Sequence, residues 1–129
     1  MQTSLLDLLQ QHQPWDDREA QHQANILTLL TTAPTPFHRQ HYQPGHITGS
    51  AWVVSADTQQ VALIYHRKFD RWLQPGGHAE PGEIDGRTTA IREVQEESGL
   101  TLRPSQATLF DLDVHLIPEM DCWRSQRQA

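Results

Sequence analysis

One cysteine in 129 residues, Cys122, leaves no partner for an internal disulfide, which suits a reducing compartment. Basic residues are scarce too: 10 Lys and Arg stand against 16 Asp and Glu, a net charge of −6 with histidine neutral. An acidic chain without a basic tail argues against a nucleic-acid backbone as the main partner. No apolar run approaches the roughly 20 residues that cross a bilayer. Residues 1–13 carry no basic leader, so no secretory signal and no membrane partner are expected. Internal repeats and low-complexity tracts are missing as well. What these absences leave is one small domain, long enough to bury a core, with a cytoplasmic location expected.

The first third reads as helical. Ser4 is a candidate cap for a short stretch with Leu5, Leu6, Leu8 and Leu9 clustered on one side. Pro14 interrupts it. Asp16 or Asp17 offers a second cap, with Glu19 in the first turn where the helix dipole favours an acid. Ala20, Ala24, Ile26, Leu27 and Leu30 then trace an apolar stripe, read as a packing face for the rest of the domain. Pro34 and Pro36 end the helix, because proline removes a donor and pushes its predecessor to extended geometry. Residues 1–36 are therefore expected as a helical segment and linker, and 37–129 as the main domain.

Short strands follow. Residues 50–54 and 61–65 are rich in β-branched and aromatic side chains, and the polar stretch 57–60 between them predicts an antiparallel hairpin. Phe110, Leu112, Val114 and Leu116 alternate with Asp111, Asp113 and His115, which predicts a half-buried strand. Helices flanking strands place the chain in the α/β or α+β class.

The informative stretch lies at 72–100. A helix is expected over 88–98, with Asp85 as its cap and Gly99 as its left-handed terminus. Ala90, Ile91 and Val94 would face the core. Glu93, Glu96 and Glu97 stand at i, i+3 and i+4, within a wedge of about 100°. At ~6 Å and an effective dielectric near 20, each like-charged pair costs on the order of 2–3 kcal/mol. Either solvent screens this face or a hard divalent cation with oxygen ligands cancels the repulsion. The preceding Pro75-Gly76-Gly77 and Pro81-Gly82 favour the cation: they predict a sharply bent loop whose backbone groups stay open to a ligand.

Gly77, five residues, Glu83, and then Arg92-Glu93-Val94-Gln95-Glu96-Glu97-Ser98-Gly99-Leu100 resemble the Nudix box, the signature of the Nudix hydrolases. The second half matches at every specified position. Eight residues rather than seven separate Glu83 from Arg92, and the extra one falls where loop becomes helix. The resemblance implies an α/β/α sandwich with a mixed sheet. It also implies hydrolysis of a pyrophosphate bond in a nucleoside diphosphate linked to another group. By position, Glu93, Glu96, Glu97 and the carbonyl of Gly77 would hold Mg²⁺ or Mn²⁺. Arg92 would orient a carboxylate, with Glu83 the candidate, and Glu96 or Glu97 would take a proton from water.

Other candidates lie outside the signature. Arg67, Lys68 and Arg71 form a basic cluster upstream of the glycines, fit either to hold substrate phosphates or to solvate a hairpin end. His78 is a candidate for substrate contact or for a loop-ordering hydrogen bond. Trp72 would stack on a base or join the core. Asp111, Asp113 and His115 share one strand face, either solvated or an accessory acid or metal site. Cys122 is expected to be inert.

A complete domain of this family would need a further strand or two and a closing helix beyond the box, and the tail after Ile117 spells neither. The chain is therefore expected to be C-terminally incomplete, with an uncovered sheet face that a homodimer would cover. The alternative to a working hydrolase is a nucleotide-binding or inactive truncated Nudix-fold protein.

Overall fold

The computed structural model describes residues 4–115. It begins with helices α1 (Leu5–Gln11) and α2 (Asp17–Thr32). Ser4 Oγ accepts the Asp7 amide at 3.1 Å, and Asp16 Oδ1 accepts the Glu19 amide at 2.8 Å. Both helices thus start on a side chain that satisfies an otherwise orphaned N–H. Leu5, Leu9 and Leu112 form a buried cluster, with Ile26, Leu27, Leu30, Phe37, Ile47 and Leu109 packed around it. The apolar stripe of α2 is used in packing at Ile26, Leu27 and Leu30, whereas Ala24 stays exposed. Among the described residues no helix is long and apolar enough to cross a membrane.

Glu19 ties these helices to the far end of the chain. It is only 4% exposed, and its Oε1 accepts from the Trp15 amide and meets His12 Nε2, both at 2.8 Å. Its Oε2 accepts the Leu112 amide at 3.1 Å. Burial alone would push this carboxyl up, but hydrogen bonds from Asp111, His12 and the amides of Trp15 and Leu112 bring it down to about 2. Trp15 Nε1 donates to the Phe110 carbonyl at 2.9 Å. These contacts explain a correction to the sequence reading. The alternating segment 110–115 forms no strand ladder among the described residues. Its amide and carbonyl groups at 110 and 112 are spent on side chains of the helical segment instead. The expected end of that strand at Leu116 and Ile117, the tail beyond it and Cys122 lie outside the described residues.

The strands make three two-stranded antiparallel ribbons. β1 (Thr48–Ser50) pairs with β6 (Gly76–His78), β2 (Val53–Val54) with β3 (Val61–Ala62), and β4 (Ile64–His66) with β5 (Arg71–Leu73). The hairpin expected around 57–60 is present as β2–β3. Its two strands are shorter than expected: Ser50 leaves to pair with Gly76, and Ile64 to pair with Leu73. The larger surprise is Gly76–His78, expected as an open loop and found as a strand, in register Thr48↔His78, Gly49↔Gly77, Ser50↔Gly76.

Helix α3 (Arg87–Ser98) packs on β1 and β6. Two glycines permit close approach, Gly49 that of the helix to β1 and Gly76 that of β6 to β1. A Cβ on Gly49 would lie 2.5 Å from the Gly86 carbonyl oxygen, and one on Gly76 would lie 2.7 Å from Ser50 Cα. Val94 and Thr89 are the fully buried side chains of α3; Ala90 and Ile91, expected in the core, are half-buried. Thr89 takes the inner position because its hydroxyl donates to Glu83 Oε1 at 3.1 Å, which removes the penalty of burying it. The fold class is α/β, with α3 packed on the β1–β6 pair and α1 packed on α2.

Candidate active site

Asp85 opens the acidic helix: its Oδ1 accepts the Thr88 amide at 2.8 Å and its Oδ2 the Thr88 hydroxyl at 3.0 Å. Gly99, at φ 80°, closes it with an N–H bond to the Gln95 carbonyl. Only glycine adopts that left-handed geometry without strain. Both ends of α3 are therefore fixed locally, and with them the angular positions of Arg92, Glu93, Glu96 and Glu97.

Arg92 sits at the centre. Its Nε donates to Glu83 Oε2 at 2.8 Å and its Nη2 to Glu83 Oε1 at 3.0 Å, a two-pronged pair. Nη2 also donates to the His78 carbonyl at 2.9 Å. Nη1 donates to Glu93 Oε1 at 3.0 Å and Glu96 Oε2 at 3.1 Å, with Glu80 Oε1 at 3.5 Å. One guanidinium thus gathers four carboxylates and one backbone carbonyl. The bond from Arg92 pulls the Glu83 carboxyl down to about 2 against the opposing effect of burial. Glu83 in turn holds the guanidinium well above its ordinary range. The Glu83 carboxylate also accepts the Glu80 amide at 2.9 Å, and the eight residues between Glu83 and Arg92 leave the pair intact.

The glycines serve the carboxylates. A Cβ on Gly77 would lie 2.7 Å from Glu93 Oε1, closer than any real side chain allows. Glu97 Oε1 accepts the Gly76 amide at 3.2 Å. Burial, followed by a hydrogen bond shared with Glu93, pushes the Glu97 carboxyl up, and the charges of Glu93 and Glu96 add to this. Glu93 and Glu97 at the glycine strand, with Glu96 one turn along the helix from Glu93, supply the oxygen donors a hard cation takes, and a cation would relieve the repulsion that adds to the rise of Glu97. In chemistry the set fits Mg²⁺ or Mn²⁺. Among the described residues no three such side chains are yet gathered around one point, because Arg92 draws Glu93 and Glu96 while Glu97 turns to Gly76.

The remaining candidates separate into two groups. His78, beside Gly77, is half-buried, and its Nδ1 lies 3.0 Å from His46 Nε2. Burial, then the charges of Arg39 and His46, hold His78 below the ordinary histidine range. Arg67, Lys68 and Arg71 lie at the exposed β4–β5 turn and strand, where none pairs with a carboxylate among the described residues. Arg71 Nε donates instead to the Phe69 carbonyl at 3.4 Å. Trp72 is 64% exposed and meets Tyr65 edge-on at 5.5 Å, so it is no core residue. Asp113 faces His115 at 2.7 Å and His22 at 3.5 Å, and Asp111 bonds Glu19; both engage the helical segment rather than α3. Sequence reasoning missed His46, Glu80 and Thr89. Nothing in the local pattern marks His46, which is 32 residues from its partner.

Comparison with known proteins gives the family. The family model of the NUDIX domain matches residues 44–129. A putative 8-oxo-dGTP diphosphatase of Bacillus subtilis (strain 168) is 35% identical over 51 residues, which make up 40% of this chain and 34% of that relative. The chain thus matches about a third of that relative's length. With more than half of the chain covered by the family model, and the Gly77, Glu83 and Arg92–Leu100 signature assembled around one arginine, the chain belongs to the Nudix family.

Proposed function

We propose that this chain hydrolyses a pyrophosphate bond in a nucleoside diphosphate linked to another group, using Mg²⁺ or Mn²⁺ at Glu93, Glu96, Glu97 and the Gly77 carbonyl. The observation that carries the proposal is the placement of Glu93 against Gly77 and Glu97 against Gly76, with Glu96 held beside Glu93 by Arg92. The relative's printed activity, a diphosphatase acting on 8-oxo-dGTP, supports the same reaction class. When bound, the cation neutralises pyrophosphate charge and lowers the pKa of a water. The chain's own work is mainly positioning. Arg92 holds Glu93 and Glu96 at fixed angles while Glu83 fixes Arg92. Glu96, which is exposed, or Glu97, braced by the Gly76 amide, takes the proton from the attacking water. Arg67, Lys68 and Arg71 contact phosphate oxygens, and His78 contacts the nucleoside.

In the same proposal, residues 1–36 form a helical segment packed on a hydrolase domain at 37–129. Val54, Val61 and Tyr65 on the ribbons and Trp52 between β1 and β2 are exposed, and a homodimer in the cytoplasm would cover them; light scattering reads that state.

The test is product analysis for dGTP, 8-oxo-dGTP and a panel of nucleoside diphosphate derivatives, with Mg²⁺, with Mn²⁺ and with EDTA. Metal-dependent cleavage at a pyrophosphate bond is expected. Nucleotide binding without cleavage under any condition would replace the hydrolase with a nucleotide-binding module.

A further inference from the structure

His46 and His78 come from distant parts of the chain and meet ring nitrogen to ring nitrogen, His46 Nε2 to His78 Nδ1, at 3.0 Å. Their centroids are 5.1 Å apart and the planes are tilted by 37°. A contact of this kind holds only when one nitrogen carries hydrogen and the other does not. The far side of His46 decides which. His46 Nδ1 faces the His41 carbonyl oxygen at 3.2 Å, and a carbonyl only accepts, so Nδ1 is the protonated nitrogen of His46. Neutral His46 then has a bare Nε2 and must receive the hydrogen of His78 Nδ1. Neutral His78, in turn, is left with a bare Nε2. Both rings are partly buried. His78 is half-buried, and its Nε2 makes no hydrogen bond among the described residues.

The backbone of the same residue is part of the site, since the His78 carbonyl accepts from Arg92 Nη2 at 2.9 Å. The ring hydrogen bonds therefore fix an imidazole whose main chain is already anchored to the carboxylate cluster.

We propose that His46 is a positioning residue that locks His78 in its Nδ1–H form, so that His78 offers a lone pair to the substrate and accepts a hydrogen bond from an N–H or O–H of the nucleoside. This rests on the proposed nucleotide substrate. It narrows the role of His78: a bare Nε2 repels phosphate oxygens and selects donors such as a base amide, an amino group or a sugar hydroxyl.

Nitrogen-15 NMR of the histidine rings at neutral pH tests the proposal on the 129-residue chain without requiring turnover. In the wild type, His78 is expected with Nδ1 protonated and Nε2 bare, and addition of dGTP is expected to shift the Nε2 resonance. His46→Leu removes the acceptor and should let His78 populate the Nε2–H form; His46→Gln, with an amide oxygen to accept from Nδ1–H, should restore the wild-type pattern. With dGTP and Mg²⁺, His46→Leu should raise KM about tenfold, the worth of one hydrogen bond, with kcat little changed and with recovery in His46→Gln. An Nε2–H His78 in the wild type would overturn the proposal, as would a His78 Nε2 resonance that ignores dGTP. Failure of hydrolysis with the expected tautomer and the dGTP shift both present would count against the hydrolase, not against the pair.

Discussion

Arg92 and Glu83, nine residues apart, form a two-pronged pair with bonds of 2.8 and 3.0 Å, and the same guanidinium reaches Glu93, Glu96 and the His78 carbonyl. A lysine would carry the charge but not the fork. Arg92→Lys is therefore expected to lower stability by about 2 kcal/mol, because it leaves part of the buried Glu83 carboxylate unpaired. Urea unfolding reads the loss. A midpoint equal to the wild type would show that the pair is not what holds Glu83.

The pair also predicts a pH dependence. Glu83 ionises at about 2 in the folded chain against an ordinary 4.5. Above 4.5 the carboxylate is charged in both states and the contribution of the pair is complete. As pH falls through 4.5 towards 2, the unfolded chain takes up its proton first and that contribution is lost, up to about 3 kcal/mol. Glu83→Gln should flatten the stability profile over that window. An unchanged slope below pH 4.5 would contradict the assignment.

Glu19 gives a second test, remote from the site. It is buried and accepts two amides, besides meeting His12 and Asp111. Glu19→Ala should cost about 3 kcal/mol, since several donors lose their partner at once. It should also expose the amide of Leu112 to hydrogen exchange. Protection of that amide at the wild-type level would show that another group holds segment 109–112.

The glycines differ sharply in what they tolerate. Gly77→Ala puts a methyl 2.7 Å from the Glu93 carboxylate and should displace it, with a loss of hydrolysis of about tenfold or more from misplaced positioning. Gly45 has nothing within 4 Å of an added Cβ and no positive φ, so Gly45→Ala should stay within about 0.5 kcal/mol of the wild type. Steady-state rates and thermal melts of the two variants check the contrast.

Much of this was legible in the sequence because it is local. Ser4 and Asp16 cap within three residues, Asp85 holds the Thr88 amide from one residue before the Gly86 cap, and Gly99 ends its helix by its own backbone geometry. The angular placement of Glu93, Glu96 and Glu97 follows from helical periodicity alone. What was hidden depends on distant partners. Alternation at 110–116 predicts a strand, but a strand needs a neighbour, and Glu19 and Trp15 took the backbone groups a neighbour would have used. Glycines at 76 and 77 suggest a loop, yet their lack of side chains is what lets β6 pair closely with β1, Gly76 against Ser50, while Gly77 makes room for Glu93 of the acidic helix. His46 meets His78 across 32 residues, and no spacing rule foretells that.

The most direct test of the whole account is hydrolysis of dGTP and 8-oxo-dGTP with Mg²⁺ by the wild type and by Glu97→Gln. The account predicts metal-dependent release by the wild type and a loss of about a hundredfold or more in the variant, whose fold and melting temperature should be retained. Equal rates in the two proteins would contradict it.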